Sequence, residues 1–289
     1  DANSKGGGRI FIPQGNYFAK GPLVLKSNIK LIFEGNSTVV FSENPKDYLA
    51  GDLKLSGCVL TSFEGTFCYN YSPLIYADSC NNISITGKVV FDARGNKSWA
   101  DFRDKQSVDR LNLQRQNNNG IPVNRRIYGK GHFLRPPFLY FYKCNNISVD
   151  GVHFKDSAFW NMHLVLCSHV RIIKTSFESG LINSDGIDIE YCNNVYINGC
   201  NFNLHDDNIA VKSGRDLEGI RTATPSKHIA VENCNFKGLN GFSIGSEVSG
   251  GAEKIYVRNC KASGHLAYGV IIKTNRNRGG VIKDIYLQN

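Results

Sequence analysis

Apolar and polar residues alternate along this chain in short bursts rather than at helical spacing. A polar turn, an apolar–polar–apolar run and a second turn recur as CNNISITG from Cys80, CNNISVDGVHF from Cys144, CSHVRIIKTSF from Cys167 and CNNVYINGCNF from Cys192. HIAVENCNF from His228, KIYVRNC from Lys254 and DIYLQN from Asp284 continue the series. Two-residue alternation is the periodicity of strands. The first apolar residues of the units are Ile83, Ile147, Val170, Val195, Ile229, Ile255 and Ile285, in steps of 64, 23, 25, 34, 26 and 30. Short strands at a drifting period of about 25 residues predict a β-solenoid, because one such unit cannot bury its apolar face and a stack of them can.

The repeat also predicts ladders. Cys80, Cys144, Cys167 and Cys192 share one phase, and Cys200, Cys234 and Cys260 share another. They are expected to be buried thiols, since their spacing fits no zinc pattern. The chain holds 9 cysteines, so they cannot all pair internally. Cys58 and Cys68 stand outside the ladders and are expected to bridge a local loop. Residues 92–138 and 215–227 are polar and break the repeat; such excursions are expected to wall a groove. The frequent Gly (29), the single Met and the plentiful Phe and Tyr agree with strands and turns.

The net charge of +9 attracts a polyanion: nucleic acid, anionic lipid or acidic polysaccharide. Neither zinc-finger spacing nor an RNP-like strand is present, and no apolar run reaches the ~18 residues of a membrane helix. Five N-x-S/T sequons, at Asn36, Asn70, Asn82, Asn96 and Asn146, would permit glycosylation in a secretory pathway.

Carboxylates are the chemistry-bearing residues. Asp206 and Asp207 are adjacent in NLHDDNIAVKSG, and Asp185 lies 21 residues before Asp206, about one coil earlier. Stacking is expected to bring Asp206 beside Asp185, with a bulge at 206–207 turning both neighbours into one groove. Three carboxylates so close cannot all ionise cheaply, so one should hold a proton near neutral pH. A protonated acid beside ionised carboxylates is what glycosidic cleavage uses. Asp188, alternating within IDIE, is read as structural.

The series NSDGID (183–188), HDDNIAVKSG (205–214), GFSIGSEVSGG (241–251) and IIKTNRNRGG (271–280) resembles glycoside hydrolase family 28, the polygalacturonases and their relatives. GGGRIFIPQGNYFAKGPLVLKSNIKL, IYADSCNNISITG and HFLRPPFLYFYKCNNISVDGVHFKDSAFWNMH extend the likeness, in its bacterial form, over essentially the whole chain. The resemblance implies an all-β, single-stranded right-handed parallel β-helix that cleaves pectin with inversion. It implies Asp206 as general acid, Asp185 and Asp207 as the water-activating pair, Asn183 as the amide of the first motif and Lys273 as the lysine that meets substrate carboxylates. No metal and no cofactor is implied. The partner would be an acidic plant cell-wall polysaccharide (pectin, galacturonan or rhamnogalacturonan), bound by a secreted or periplasmic monomer, with no nucleic acid and no membrane involved.

Three departures qualify that expectation. The family's Gly-His-Gly corresponds to Gly238, Leu239 and Asn240, its Arg-Ile-Lys to Ile271, Ile272 and Lys273, and its Gly before the paired aspartates to His205. His205 is read as a substrate contact taking over part of the missing histidine's role. Loss of an arginine fork weakens the grip on a uronate. That leaves a rhamnogalacturonan-type hydrolase and a non-catalytic pectin-binding relative as alternatives; a lyase or an adhesin would not need the aspartates in coil register. The chain is expected to be one domain over 1–289, without the helical cap and last coils of the family, and its 92–138 insertion to favour attack from a chain end.

Overall fold

The computed structural model describes residues 2–49 and 51–289. Its strands join into two long parallel sheets. One includes Asn81–Asp92, Asn145–Asp150, Ser168–Ile173, Asn193–Asn198, Ser226–Glu232, Ala252–Arg258 and Ile282–Gln288. The other runs Leu23–Val24, Ile75–Asp78, Leu139–Tyr142, Met162–Val165, Ile187–Glu190, Asp207–Lys212, Asn240–Gly245 and Tyr268–Lys273. Each coil contributes to both sheets, giving a right-handed parallel β-helix. The predicted ladder is realised: Ile83, Ile147, Val170, Val195, Ile229, Ile255 and Ile285 are register partners, coil on coil.

Inside the helix, like stacks on like. Phe177 lies between Phe154 and Phe202, with ring centroids 5.4 and 5.0 Å away and planes within 8° of parallel. Phe177→Ala would remove a fully buried ring from this column, so a loss of about 3–5 kcal/mol in urea unfolding is expected. An unchanged midpoint and slope would show that the column contributes nothing.

Outside, one corner is held by residues in the left-handed region. Asn28, Asn82, Asn146, His169, Asn194, His228, Lys254 and Asp284 all have φ between 53° and 61°. Asn tolerates that region better than most residues. Its amide also bonds along the stack: Asn146 Nδ2 donates to Asn82 Oδ1, and Asn82 Nδ2 to Asn28 Oδ1, each at 2.7 Å. Two of the sequons are therefore rungs of this amide ladder. Asn70 is buried and donates to the Leu134 carbonyl at 3.3 Å, which closes it to glycosylation in the folded chain.

Two expectations are corrected. Cys58 and Cys68 are not bridged; both are buried free thiols. Strands Val59–Phe63 and Thr66–Asn70 form an antiparallel hairpin whose register sets Cys68 opposite Thr61, out of Cys58's reach. The 92–138 insertion is not merely a polar break. It contains helices α1, Gly95–Ser98, and α2, Ala100–Asn118. The second insertion forms α3, Asp216–Thr222. The long helix escaped notice because Gln106, Asp109 and Asn117 are buried alongside Leu113, so its docked face is mostly polar and carries no apolar stripe. Among the described residues, no helix is long and apolar enough to cross a membrane.

Candidate active site

The site forms where one coil turns into the strand Asp207–Lys212. The strand before it ends at Leu204, and Asp206 lies in the intervening bend. The neighbouring aspartates therefore share a face because a corner separates them, not because a strand bulges. The register is also one residue off the expected one. Ile187 pairs with Ile209, an offset of 22, which sets Asp185 level with Asp207 and leaves Asp206 diagonal to it. A carboxylate oxygen from each of Asp185, Asp206 and Asp207 lies within 4.8 Å of the other two.

Each carboxylate is held differently. Asp207 Oδ1 accepts from Asn240 Nδ2 at 2.7 Å, and its Oδ2 meets the Lys273 ammonium. Asp206 Oδ1 accepts the Asp207 backbone N–H at 3.0 Å. Asp185 Oδ1 is buried and has no partner among the described residues. Asp185 and Asp207 are only 3% and 1% exposed, whereas Asp206 is half-buried and open to the cleft. Burial, then the charges of Asp188, Asp206 and Asp207, hold the Asp185 carboxyl well above the usual carboxylate range. Burial and then Asp207 raise Asp206 as well, while Lys273 pulls it back. Burial and the repulsion between neighbouring carboxylates thus favour a proton held within the cluster.

By ligand type the three carboxylates could accept a cation. At Asp207, however, the Lys273 ammonium and the Asn240 amide already engage both oxygens.

Asn183 also reaches the cleft. It stands at φ 60°, and its Oδ1 accepts from Arg135 NH2 at 2.9 Å. Two other residues singled out in the sequence do not join the cluster. His205 is exposed and does not line the cleft. Leu239 is 44% exposed, and it is the next residue, Asn240, that reaches Asp207. The position to compare with the missing histidine is thus Asn240, an amide that still offers a donor. Gly238 makes that approach possible: at φ 132°, a Cβ there would lie 1.8 Å from the Leu204 carbonyl of the coil below.

The cleft has a volume of about 200 Å³, and besides these residues Trp160, Glu64, Arg110, Arg215 and Glu247 line it. Its floor is a buried ionic layer that sequence reasoning missed. Lys212 Nζ lies 3.1 Å from Glu247, 3.6 Å from Asp188 and 4.6 Å from the Trp160 ring centroid. Arg215 donates to Glu247 at 2.7 Å. Burial opposes ionisation of Glu247, yet Lys212 and Arg215 outweigh it and hold the carboxyl well below its usual range. Asp188 is pushed well above by burial, with Lys212 opposing, so Lys212 directs its charge chiefly to Glu247. Lys212 stood within the quoted HDDNIAVKSG run, but nothing in one-dimensional spacing shows that its side chain turns inward. A larger cavity of about 390 Å³ beside α2 is lined by Asn112, Arg115, Gln116, Asn119, Ile121, Ile127, Tyr128 and His132, with no carboxylate, and is not the site.

Fold and site together define a parallel β-helix protein with a carboxylate-lined cleft. The chain matches the model for glycosyl hydrolases family 28 over residues 8–289, and it belongs to that family. It is 25% identical to a probable polygalacturonase of Vitis vinifera over 99% of this chain and 53% of that protein. It is also 25% identical to an endo-polygalacturonase of Pectobacterium carotovorum, over 94% of this chain and 61% of that one. Among solved structures, a hyperthermoactive exopolygalacturonase from Thermotoga maritima is 35% identical with a TM-score of 0.91, covering 99% of this chain and 69% of that one. The chain spans about half the length of the first curated relatives it matches.

Proposed function

We propose that this chain hydrolyses α-linked galacturonan, with inversion, by carboxylate acid–base catalysis. The observation that carries this reading is the cluster itself: one accessible, proton-retaining carboxyl, Asp206, beside two buried carboxyls in a cleft that also holds Lys273. Asp206 would protonate the leaving glycosidic oxygen because, of the three aspartates, it is the one that combines a raised pKa with access to a ligand. Asp185 and Asp207 would bind and deprotonate the attacking water. Lys273 supplies a point charge for a substrate carboxylate while holding Asp207. Asn183 adds a polar group to the cleft, and Asn240 holds Asp207 from behind.

One oxygen of each carboxylate lies within 4.8 Å of the others, a tighter approach than the ~6.5–9.5 Å usual between whole carboxyl groups of inverting enzymes. The hydrogen bonds favour inversion nonetheless. Attack on the sugar carbon needs an oxygen that is both free and open to the ring, but both oxygens of Asp207 are engaged and Asp185 is only 3% exposed, so a small water is the better-matched reactant for this pair.

The 35% identical exopolygalacturonase favours attack from a chain end, and the insertion standing beside the cleft agrees. The +9 charge draws a polyanion inward. A polysaccharide substrate favours work outside the cytoplasm. Rhamnogalacturonan stays the second reading because Ile271 stands where the family has arginine. Reducing-sugar release from polygalacturonate and from rhamnogalacturonan tests both. Galacturonate monomer from the first substrate is expected; release from neither would overturn the hydrolase.

The acid must be protonated to act, so activity falls as pH rises through its pKa. Lys273 lowers the Asp206 pKa. In Lys273→Met the alkaline limb of the kcat profile is therefore expected to move to higher pH while kcat itself drops. A limb that stays in place, or moves to lower pH, would dissociate Lys273 from the acid.

A further inference from the structure

Helix α2 sets Gln106, Arg110, Leu113 and Asn117 along one face, at spacings of four, three and four residues. Its polar members each contact the cleft wall or a residue that holds it. Gln106 Oε1 accepts from Arg135 Nε at 3.0 Å, and Arg135 in turn holds Asn183. Asn117 Nδ2 donates to the Arg215 carbonyl at 2.9 Å. Arg110 NH1 faces Glu64 Oε1 at 3.6 Å. The insertion helix is therefore the back wall of the site.

The three arginines behind this wall differ in what they have left to give. Arg135 is buried and committed to Gln106, Ala158, Ile182 and Asn183. Arg215 is committed to Glu247 through NH2, and its Nε, unpartnered among the described residues, is buried out of a ligand's reach. Arg110 has a side chain 47% exposed, and among the described residues its ion-pair partner is Glu64, beyond direct hydrogen-bond distance. Glu64 is itself divided, lying 3.6 Å from Arg215. Arg110 thus brings unfilled donors into the cleft that holds the three aspartates. At position 271, where the family resemblance leads one to expect a guanidinium, the chain has isoleucine.

We propose that Arg110 is a specificity-determining residue that grips the carboxylate of the galacturonate bound in this cleft, so that the insertion supplies the guanidinium which position 271 lacks. This inference rests on the galacturonan reading above. The guanidinium fork matches a planar carboxylate with two parallel N–H···O bonds, which a neutral sugar or a methyl ester cannot reproduce.

The test is equilibrium binding by calorimetry, in an Asp206→Asn background that does not consume its ligand. The probes are trigalacturonate and its fully methyl-esterified counterpart. Adding Arg110→Gln is expected to weaken trigalacturonate about tenfold or more and the ester less than about twofold. Arg110→Lys should recover part of the loss. In the active chain, Arg110→Gln should raise KM with kcat changed less than about twofold. Equal weakening of both probes, no weakening of either, or failure of the parent to bind trigalacturonate overturns the proposal. Arg110-dependent binding by a chain that releases no sugar would uphold it while overturning the hydrolase reading, so the two fail separately.

Discussion

Asp206→Asn is expected to lower kcat on polygalacturonate by about 10²–10⁴-fold, with KM changed only a few-fold. The amide keeps the shape of the side chain and can still accept the Asp207 backbone N–H at 3.0 Å. What it loses is the transferable proton, and the leaving sugar oxygen must then depart as a poor alkoxide. Asp206 is proposed for this role because Asp185 and Asp207 are almost wholly buried. Steady-state rates on wild type and variant, with circular dichroism as a check on folding, measure the effect. Equal rates would remove Asp206 from the chemistry.

Lys212→Met is expected to destabilise the fold by about 3–5 kcal/mol, because it removes one of the two cations that hold the buried Glu247 carboxylate. Glu247 would be left with Arg215 in place of two cations. The effect should depend on pH. Glu247 has a folded-state pKa depressed by Lys212 and Arg215 against the pull of burial. Its pairing therefore stabilises the fold above the unfolded pKa and is lost as pH falls through the folded one. The gap in melting temperature between wild type and variant should accordingly be widest near neutral pH and narrow on acidification. A gap of the same size at both ends of the range would mean that lost packing against Trp160, rather than charge, accounts for it.

The repeat was legible because a solenoid writes its contacts along the sequence: residues in one phase become neighbours, so Ile83 through Ile285 could be stacked by counting. The same counting brought Asp185 into the next coil's aspartates, though one residue out of register, since a bend at Asp206 adds a residue that strand periodicity does not include. What stayed hidden lies off the repeat. Helix α2 docks through Gln106 and Asn117, side chains whose partners are Arg135 and Arg215, 29 and 98 residues away. Lys212 was hidden for another reason, as alternation along a strand does not show which lysine is turned inward to meet Glu247. Asn240 was missed by comparing the wrong neighbour, Leu239, with a histidine. Only the hydrogen bond to Asp207 tells the two apart.

The central claim is that Asp185 and Asp207 deliver water while Asp206 protonates the leaving group, although their oxygens lie within 4.8 Å. Proton NMR of the first product formed from an α-linked oligogalacturonate, recorded before mutarotation, tests it most directly. The account predicts that the β-anomer appears first and the α-anomer grows in later. An initial α-anomer would mean that one of these carboxylates attacks the sugar itself, and would contradict it.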